Sequence, residues 1–196
     1  MRLKSKLWSL REFYVCPRIG SSIHHSGKNP ERGCRNCGRR PLSGVTGMRT
    51  EIAFWDTSAL VPLCCRQPGS PSRSHQLFKL FKKPVIWWGT PVEVRSALVR
   101  LRQDGDLSKR QMLNAVQKWE MLERVVREVN PTEQVRGLAK TIPQQHGLRT
   151  LDAYQLAAAL AWCQSNPRRR PFVCFDETLS DAAESAGFAV HTLKSS

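Results

Sequence analysis

Apolar residues follow two rhythms along this chain. Short apolar runs at 52–56, 85–88, 172–175 and 189–192 read as buried strands; the first is Ile52-Ala53-Phe54-Trp55. Helical periodicity fills the intervals. Residues 91–102 are amphipathic. Asp106-Leu107-Ser108 starts a second helix that runs to 122. A third spans 131–146 and ends at Gly147. Residues 151–163 are Ala-rich and nearly apolar, the pattern of a buried helix, and 178–186 form a short last helix closed by Gly187. Loops are marked at 67–72 and 166–171. Residues 125–129 are a candidate edge strand, ended by Pro131. There is no internal repeat. Strands alternating with helices predict an α/β fold: a three-layer α/β/α sandwich around a mainly parallel sheet of four to five strands. In such sheets, sites form outside the carboxyl ends of the strands, near the topological switch point.

Residues 1–47 show neither period and are rich in Gly, Ser, Pro and Arg. They are expected to be a disordered or spurious N-terminal extension, with the folded domain at 48–196 and Met48 as a natural start. Charge adds a second contrast. Residues 1–47 hold 10 Lys+Arg against 2 Asp+Glu, and 48–196 hold 21 against 14, within a total of +15. A basic surface suits a polyanion such as nucleic acid. No run of about 18 apolar residues exists, so no membrane-spanning helix is expected. The basic N-terminus lacks the apolar stretch of a secretory signal, which predicts a cytoplasmic protein. The seven cysteines then read as reduced thiols. Cys34 and Cys37 have zinc-ligand spacing, and Cys16, His24 or His25 could complete a set. A zinc site usually brings a second tight pair, which the sequence lacks.

Carboxylates carry the candidate chemistry. Asp56 ends the first strand run, Asp176 ends the run at 172–175, and Glu93 follows Trp88 at the start of the next helix. In a parallel sheet these three lie at one edge. Asp152 opens the buried Ala-rich helix and joins them if that helix packs beside the edge. Each acid also sits where capping would place it. Thr90-Pro91-Val92-Glu93 fits a capping box. Asp56 and Asp176 could cap the helices that follow them, and Asp152 fits a first-turn acid after a Thr150 cap. Capping accounts for each acid singly but not for their convergence. Carboxylates within a few ångströms of one another repel unless a cation neutralises them. Oxygen ligands suit Mg²⁺ or Mn²⁺, and such an ion activates water and neutralises charge on a phosphodiester.

Four segments carry a family resemblance: Asp56-Thr57-Ser58-Ala59-Leu60, Pro91-Val92-Glu93-Val94-Arg95-Ser96-Ala97-Leu98, Leu151-Asp152-Ala153-Tyr154-Gln155-Leu156-Ala157-Ala158-Ala159 and Phe175-Asp176-Glu177-Thr178-Leu179-Ser180-Asp181-Ala182-Ala183. In order and spacing they resemble the successive motifs of PIN domains, in particular the compact VapC-like toxins of toxin–antitoxin systems, over residues 50–193. The resemblance implies a PIN-like fold and a Mg²⁺- or Mn²⁺-dependent endoribonuclease acting on single-stranded RNA. Its catalytic acids map onto Asp56, Glu93, Asp152 and Asp176. Asp56, Asp152 and Asp176 would be the main metal ligands. Glu93 would act directly or through water, and Ser58 would position Asp56. The resemblance also implies a homodimer and a cognate antitoxin that fills the acidic pocket with a basic side chain. One position departs: Cys174 stands where the family often has Thr or Ser, and a thiol is a weaker hydrogen-bond partner.

Arg95 and Arg149 flank the acids and are candidate phosphate contacts for RNA, with solvated helix-surface arginines as the alternative. Arg168-Arg169-Arg170 reads as a solvated loop. Trp55, Trp87, Trp88 and Tyr154 read as packed aromatics rather than base-stacking platforms, and Asp181 as a surface acid. Two rival functions remain beside the toxin: a housekeeping PIN nuclease of RNA processing, and a catalytically weak RNA-binding module that Cys174 favours.

Overall fold

The computed structural model describes residues 51–65 and 71–193. The extension at 1–47 and the cysteines and histidines of the candidate zinc set lie outside the described residues, as do positions 67–70 of the marked loop.

The elements run β1 (Ile52–Trp55), α1 (Thr57–Cys64), α2 (Pro71–Leu80), β2 (Lys83–Trp87), α3 (Thr90–Gln103), α4 (Lys109–Glu123), β3 (Arg127–Val129), α5 (Glu133–His146), α6 (Thr150–Trp162), β4 (Pro171–Val173), α7 (Glu177–Ser185) and β5 (Ala189–His191). The strands form a five-stranded sheet in the order β3-β2-β1-β4-β5, and every pairing is parallel. The chain starts at the centre, builds outward through β2 and β3, then returns to add β4 and β5 on the other side. The direction of winding reverses between β1 and β4, so the carboxyl ends of those two strands flank the switch point.

Strand alternation sorts the core into two layers, because successive side chains leave opposite faces of a sheet. Phe54, Val85, Trp87 and Phe172 pack with the buried residues of α5, α6 and α7, such as Val135, Leu156 and Leu179. Ala53, Trp55, Ile86 and Val173 pack with Leu60, Leu77, Leu98 and Trp119 of α1, α2, α3 and α4. The sheet therefore carries helices on both faces, the expected three-layer arrangement. The apolar run of α6 explains itself here: Leu156, Ala157, Ala158 and Ala159 are all buried.

Four local expectations change. Pro71 and Ser72 open a helix instead of continuing a loop; proline suits a first helical turn, where its missing N–H is no loss. The edge strand exists but is limited to β3 and lies beside β2. The capping box at Thr90 does not form. Gly89 is the N-cap of α3, and Thr90 lies inside the helix. Thr150 likewise falls inside α6, whose N-cap is Arg149. By contrast, Ser108 caps α4 with a full capping box to Gln111, and Gly147 closes α5 at φ 66°, a left-handed conformation that suits glycine.

Candidate active site

Asp56 sits one residue past β1 and is buried. Its backbone N–H donates to the Val173 carbonyl (2.9 Å), which ties it to the end of β4. Its side chain caps α1, with Oδ2 accepting the Ser58 N–H at 2.9 Å and a short bond from the Ser58 hydroxyl. Ser58 Oγ accepts in turn from the Phe175 N–H at 2.9 Å. Ser58 thus joins the first and last acidic segments. Cys174 Sγ lies 3.7 Å from Asp56 Oδ2, 3.8 Å from Ser58 Oγ and 3.5 Å from the Asp176 carbonyl. The thiol occupies the space between the two aspartates, making only long contacts. Burial and the Asp56 charge push it well above an ordinary thiol pKa.

Asp176 caps α7, with Oδ1 accepting the Leu179 N–H at 2.8 Å. Asp152 stands in the first turn of α6 and accepts the backbone N–H of Arg149. Capping therefore accounts for part of what these aspartates do, and it also fixes where their carboxylates lie.

Glu93 is held differently. It is buried, and its Oε2 accepts from Thr57 Oγ1 (2.6 Å) and Gln155 Nε2 (2.9 Å). Gln155 Nε2 also reaches Thr57 Oγ1 and Thr90 Oγ1, both at 3.2 Å. The hydroxyl expected to cap α3 is thus spent on this network. Glu93 Oε1 is buried without a hydrogen-bond partner. A Cβ added to Gly89 would meet Trp87 Nε1 at 2.7 Å, so the glycine leaves room for the Trp87 ring beside the site.

The four acids share one electrostatic neighbourhood. Burial, then the charges of Asp56 and Asp176, push Asp152 up to about 7, with Arg149 pulling the other way. Burial pushes Glu93 up to about 7, and Asp56 and Asp152 add to the rise against the pull of Thr57 and Gln155. Burial also raises Asp56, and Asp176 adds to it, against the hydrogen bonds from Ser58. Asp56, Asp152 and Asp176 each act on at least one other acid, as like charges near one site do. They do so across space: among the described residues, no three His, Cys, Asp or Glu side chains stand close enough to hold an ion directly. A hydrated ion such as Mg²⁺ keeps several waters and needs only one or two direct carboxylates. The unpartnered Glu93 Oε1 and the raised acids mark a site whose oxygen donors gain from a cation.

The two candidate phosphate contacts separate. Arg149 is exposed at the start of α6 and acts on Asp152. Arg95 turns away from buried Glu93 and pairs with Glu120 (3.1 Å) and Glu123 (4.0 Å) of α4. Asp181 is exposed on α7. Trp55 and Trp87 are fully buried, and Tyr154 stacks on Trp87 at 5.5 Å. Sequence reasoning gave no role to Gln155 or Thr57, and made Thr90 only a helix cap. One signal was available: Gln155 is a lone amide in an apolar helix, three residues after Asp152 and so on the same face.

No family profile matches the chain. Ribonuclease VapC45 of Mycobacterium tuberculosis (strain CDC 1551 / Oshkosh) and Ribonuclease VapC49 of Mycobacterium tuberculosis (strain ATCC 25618 / H37Rv) are each 29% identical to it over 119 residues, covering 56% of this chain and 76% of the relative. Among solved structures, a toxin–antitoxin complex from Klebsiella pneumoniae aligns with a TM-score of 0.49 at 16% identity, over 74% of this chain and 99% of that one. FitAB bound to an IR36 DNA fragment aligns with a TM-score of 0.49 at 16% identity, over 72% and 94%. The chain is thus similar in sequence, over 119 residues, to two proteins named VapC ribonucleases.

Proposed function

We propose that this chain is a toxin-type endoribonuclease, a hydrolase that cuts single-stranded RNA with Mg²⁺ or Mn²⁺ at Asp56, Glu93, Asp152 and Asp176. The observation that carries this reading is the placement of Asp56 and Asp176 just past β1 and β4 at the switch point, joined through Ser58, with buried Glu93 hydrogen-bonded to Thr57 of the helix that Asp56 caps. Likeness to proteins named ribonucleases supports the choice of reaction.

Asp56, Asp152 and Asp176 would hold the cation, directly or through its waters. When bound, it would neutralise charge on the phosphoryl oxygens and make water easier to deprotonate. Glu93 has the proton affinity of a general base near neutral pH, and its Oε1 is the atom left open to take a proton. Thr57 and Gln155 anchor Oε2 and so fix the direction of Oε1. Ser58 orients Asp56. Arg149, beside Asp152, offers a cation to an RNA phosphate. The same resemblance suggests a homodimer and a cognate antitoxin with a basic side chain for the acidic pocket. Among the described residues, no helix is long and apolar enough to cross a membrane.

One observation favours a second reading, an RNA-binding module that cleaves weakly. Cys174 gives Asp56 only a 3.7 Å thiol contact. Incubating the purified chain with single-stranded RNA separates the two. Cleavage with Mg²⁺ or Mn²⁺, abolished by chelation and by Asp56→Asn, is expected. Binding without cleavage under every metal condition would favour the module. Expression in a bacterial host should arrest growth, and Asp56→Asn should relieve it.

A further inference from the structure

The sheet edge opposite the acids is basic. In an all-parallel sheet every strand begins at the same edge. Arg168, Arg169 and Arg170 lead into β4, and Lys82 and Lys83 enter β2; all five are exposed. The register lines them up. Lys83 pairs with Ile52, and Phe54 pairs with Phe172, which puts Arg170 level with Ile52 on the other side of β1. The backbones of Lys83 and Arg170 are then two strand spacings apart, about 10 Å.

The arginine segment is tightly built. The Arg169 N–H donates to the Gly187 carbonyl (3.0 Å), the Arg170 N–H to the Pro167 carbonyl (2.8 Å), and the Ala189 N–H to the Arg170 carbonyl (2.9 Å). Arg170 lies 5.1 Å from the centroid of the Trp162 ring. Arg168 and Arg169 hold φ of 42° and 57°, a left-handed conformation unusual for any residue but glycine, asparagine or aspartate. One carboxylate, Glu51, stands within the row. Lys83 bonds it at 2.9 Å, and Lys83 and then Lys82 hold it below the usual carboxylate range. Among the described residues, Lys82, Arg168 and Arg169 enter no ion pair.

We propose that this edge is a second contact surface for RNA, taking the phosphate backbone of a strand whose reacting bond lies at the acids. Cations set in a line across successive strands match a linear polyanion. The choice of RNA rests on the ribonuclease reading. Lys83 and Arg170 lie level with Ile52, four residues before Asp56, so the two edges are about 13 Å apart along the strands. A strand that engages both must extend well beyond the reacting nucleotides.

Binding of poly-uridine to the full chain, carrying Asp56→Asn to prevent cleavage, tests this by fluorescence anisotropy over a range of salt concentrations. Replacing Arg168, Arg169 and Arg170 by Gln should weaken binding about tenfold and flatten the log–log salt slope by about 2, at about 0.7 per lost phosphate contact. Lys82→Gln with Lys83→Gln, on another strand, should flatten it by about 1. If both sets leave affinity and slope unchanged, the proposal is overturned. It also falls if they spare RNA binding but abolish binding to phosphatidylserine vesicles. A wild-type chain that never cleaves RNA, together with flattened slopes in these variants, would overturn the ribonuclease reading and leave this surface standing.

Discussion

Gln155 donates its amide to Glu93 Oε2 at 2.9 Å across 62 residues of sequence. The same nitrogen touches Thr57 and Thr90, so one side chain of α6 fastens α1 and α3 to the site. Gln155→Leu should cost about 1–3 kcal/mol in urea unfolding, the range for a lost buried hydrogen bond. Cleavage should fall about 10- to 100-fold, as when an outer partner of a metal site is removed. The fall should appear in kcat rather than KM, because Gln155 orients Glu93 and does not touch RNA. An unchanged kcat would remove Gln155 from the mechanism.

Asp56→Asn should separate stability from activity. Asparagine keeps the capping oxygen for α1 and removes a buried charge that the neighbouring acids oppose. The thermal midpoint in chelator should equal or exceed that of the wild type, while cleavage drops by about 100-fold or more. The stabilisation by Mn²⁺ seen in the wild type should shrink or vanish. A variant that is stable, active and still stabilised by Mn²⁺ would contradict the assignment.

The pH dependence has a definite sign. Glu93 and Asp152 titrate near 7 in the folded chain, against ordinary values of 4.5 and 3.8. Between these limits the folded state binds more protons than the unfolded one, so stability falls as pH rises. In chelator, the melting temperature should decline from about pH 4.5 to about pH 7 and level off above. Mn²⁺ should offset the loss at the upper end, where the acids are ionised. Calorimetry with and without metal checks both parts.

Cys174→Ser should strengthen the site. A hydroxyl is a better donor to Asp56 than a thiol at 3.7 Å. Mn²⁺ affinity by calorimetric titration should rise, and cleavage with it, at a small cost in packing. An equal or weaker affinity would show that the thiol does not limit the site.

Much of this arrangement is legible in the sequence because it is local. Apolar runs define strands, and Asp56 follows its run directly. Parallel pairing then puts Asp56, Glu93 and Asp176 at one edge. Helix starts are also local, which is why capping by Asp56, Asp176 and Ser108 was readable. The start of α3 was not, because Thr90 turns to a partner 65 residues away. Helix α2 escaped notice because Pro71 and Ser72 follow Pro68 and Gly69, and its buried anchors, Ser74 and Leu77, are few.

The sequence by itself determined the alternation of elements and the edge on which Asp56, Glu93 and Asp176 fall, and offered the four acids as candidates. Tertiary structure decided which of their neighbours matter. It gave Glu93 its anchors in Thr57 and Gln155, 36 and 62 residues distant. It turned Arg95 toward Glu120 and put Arg149 beside Asp152. It set the arginines before β4 in line with the lysines of β2. The reason is physical: backbone preference and apolar period act over a few residues, whereas strand order alone decides which distant side chains share an edge.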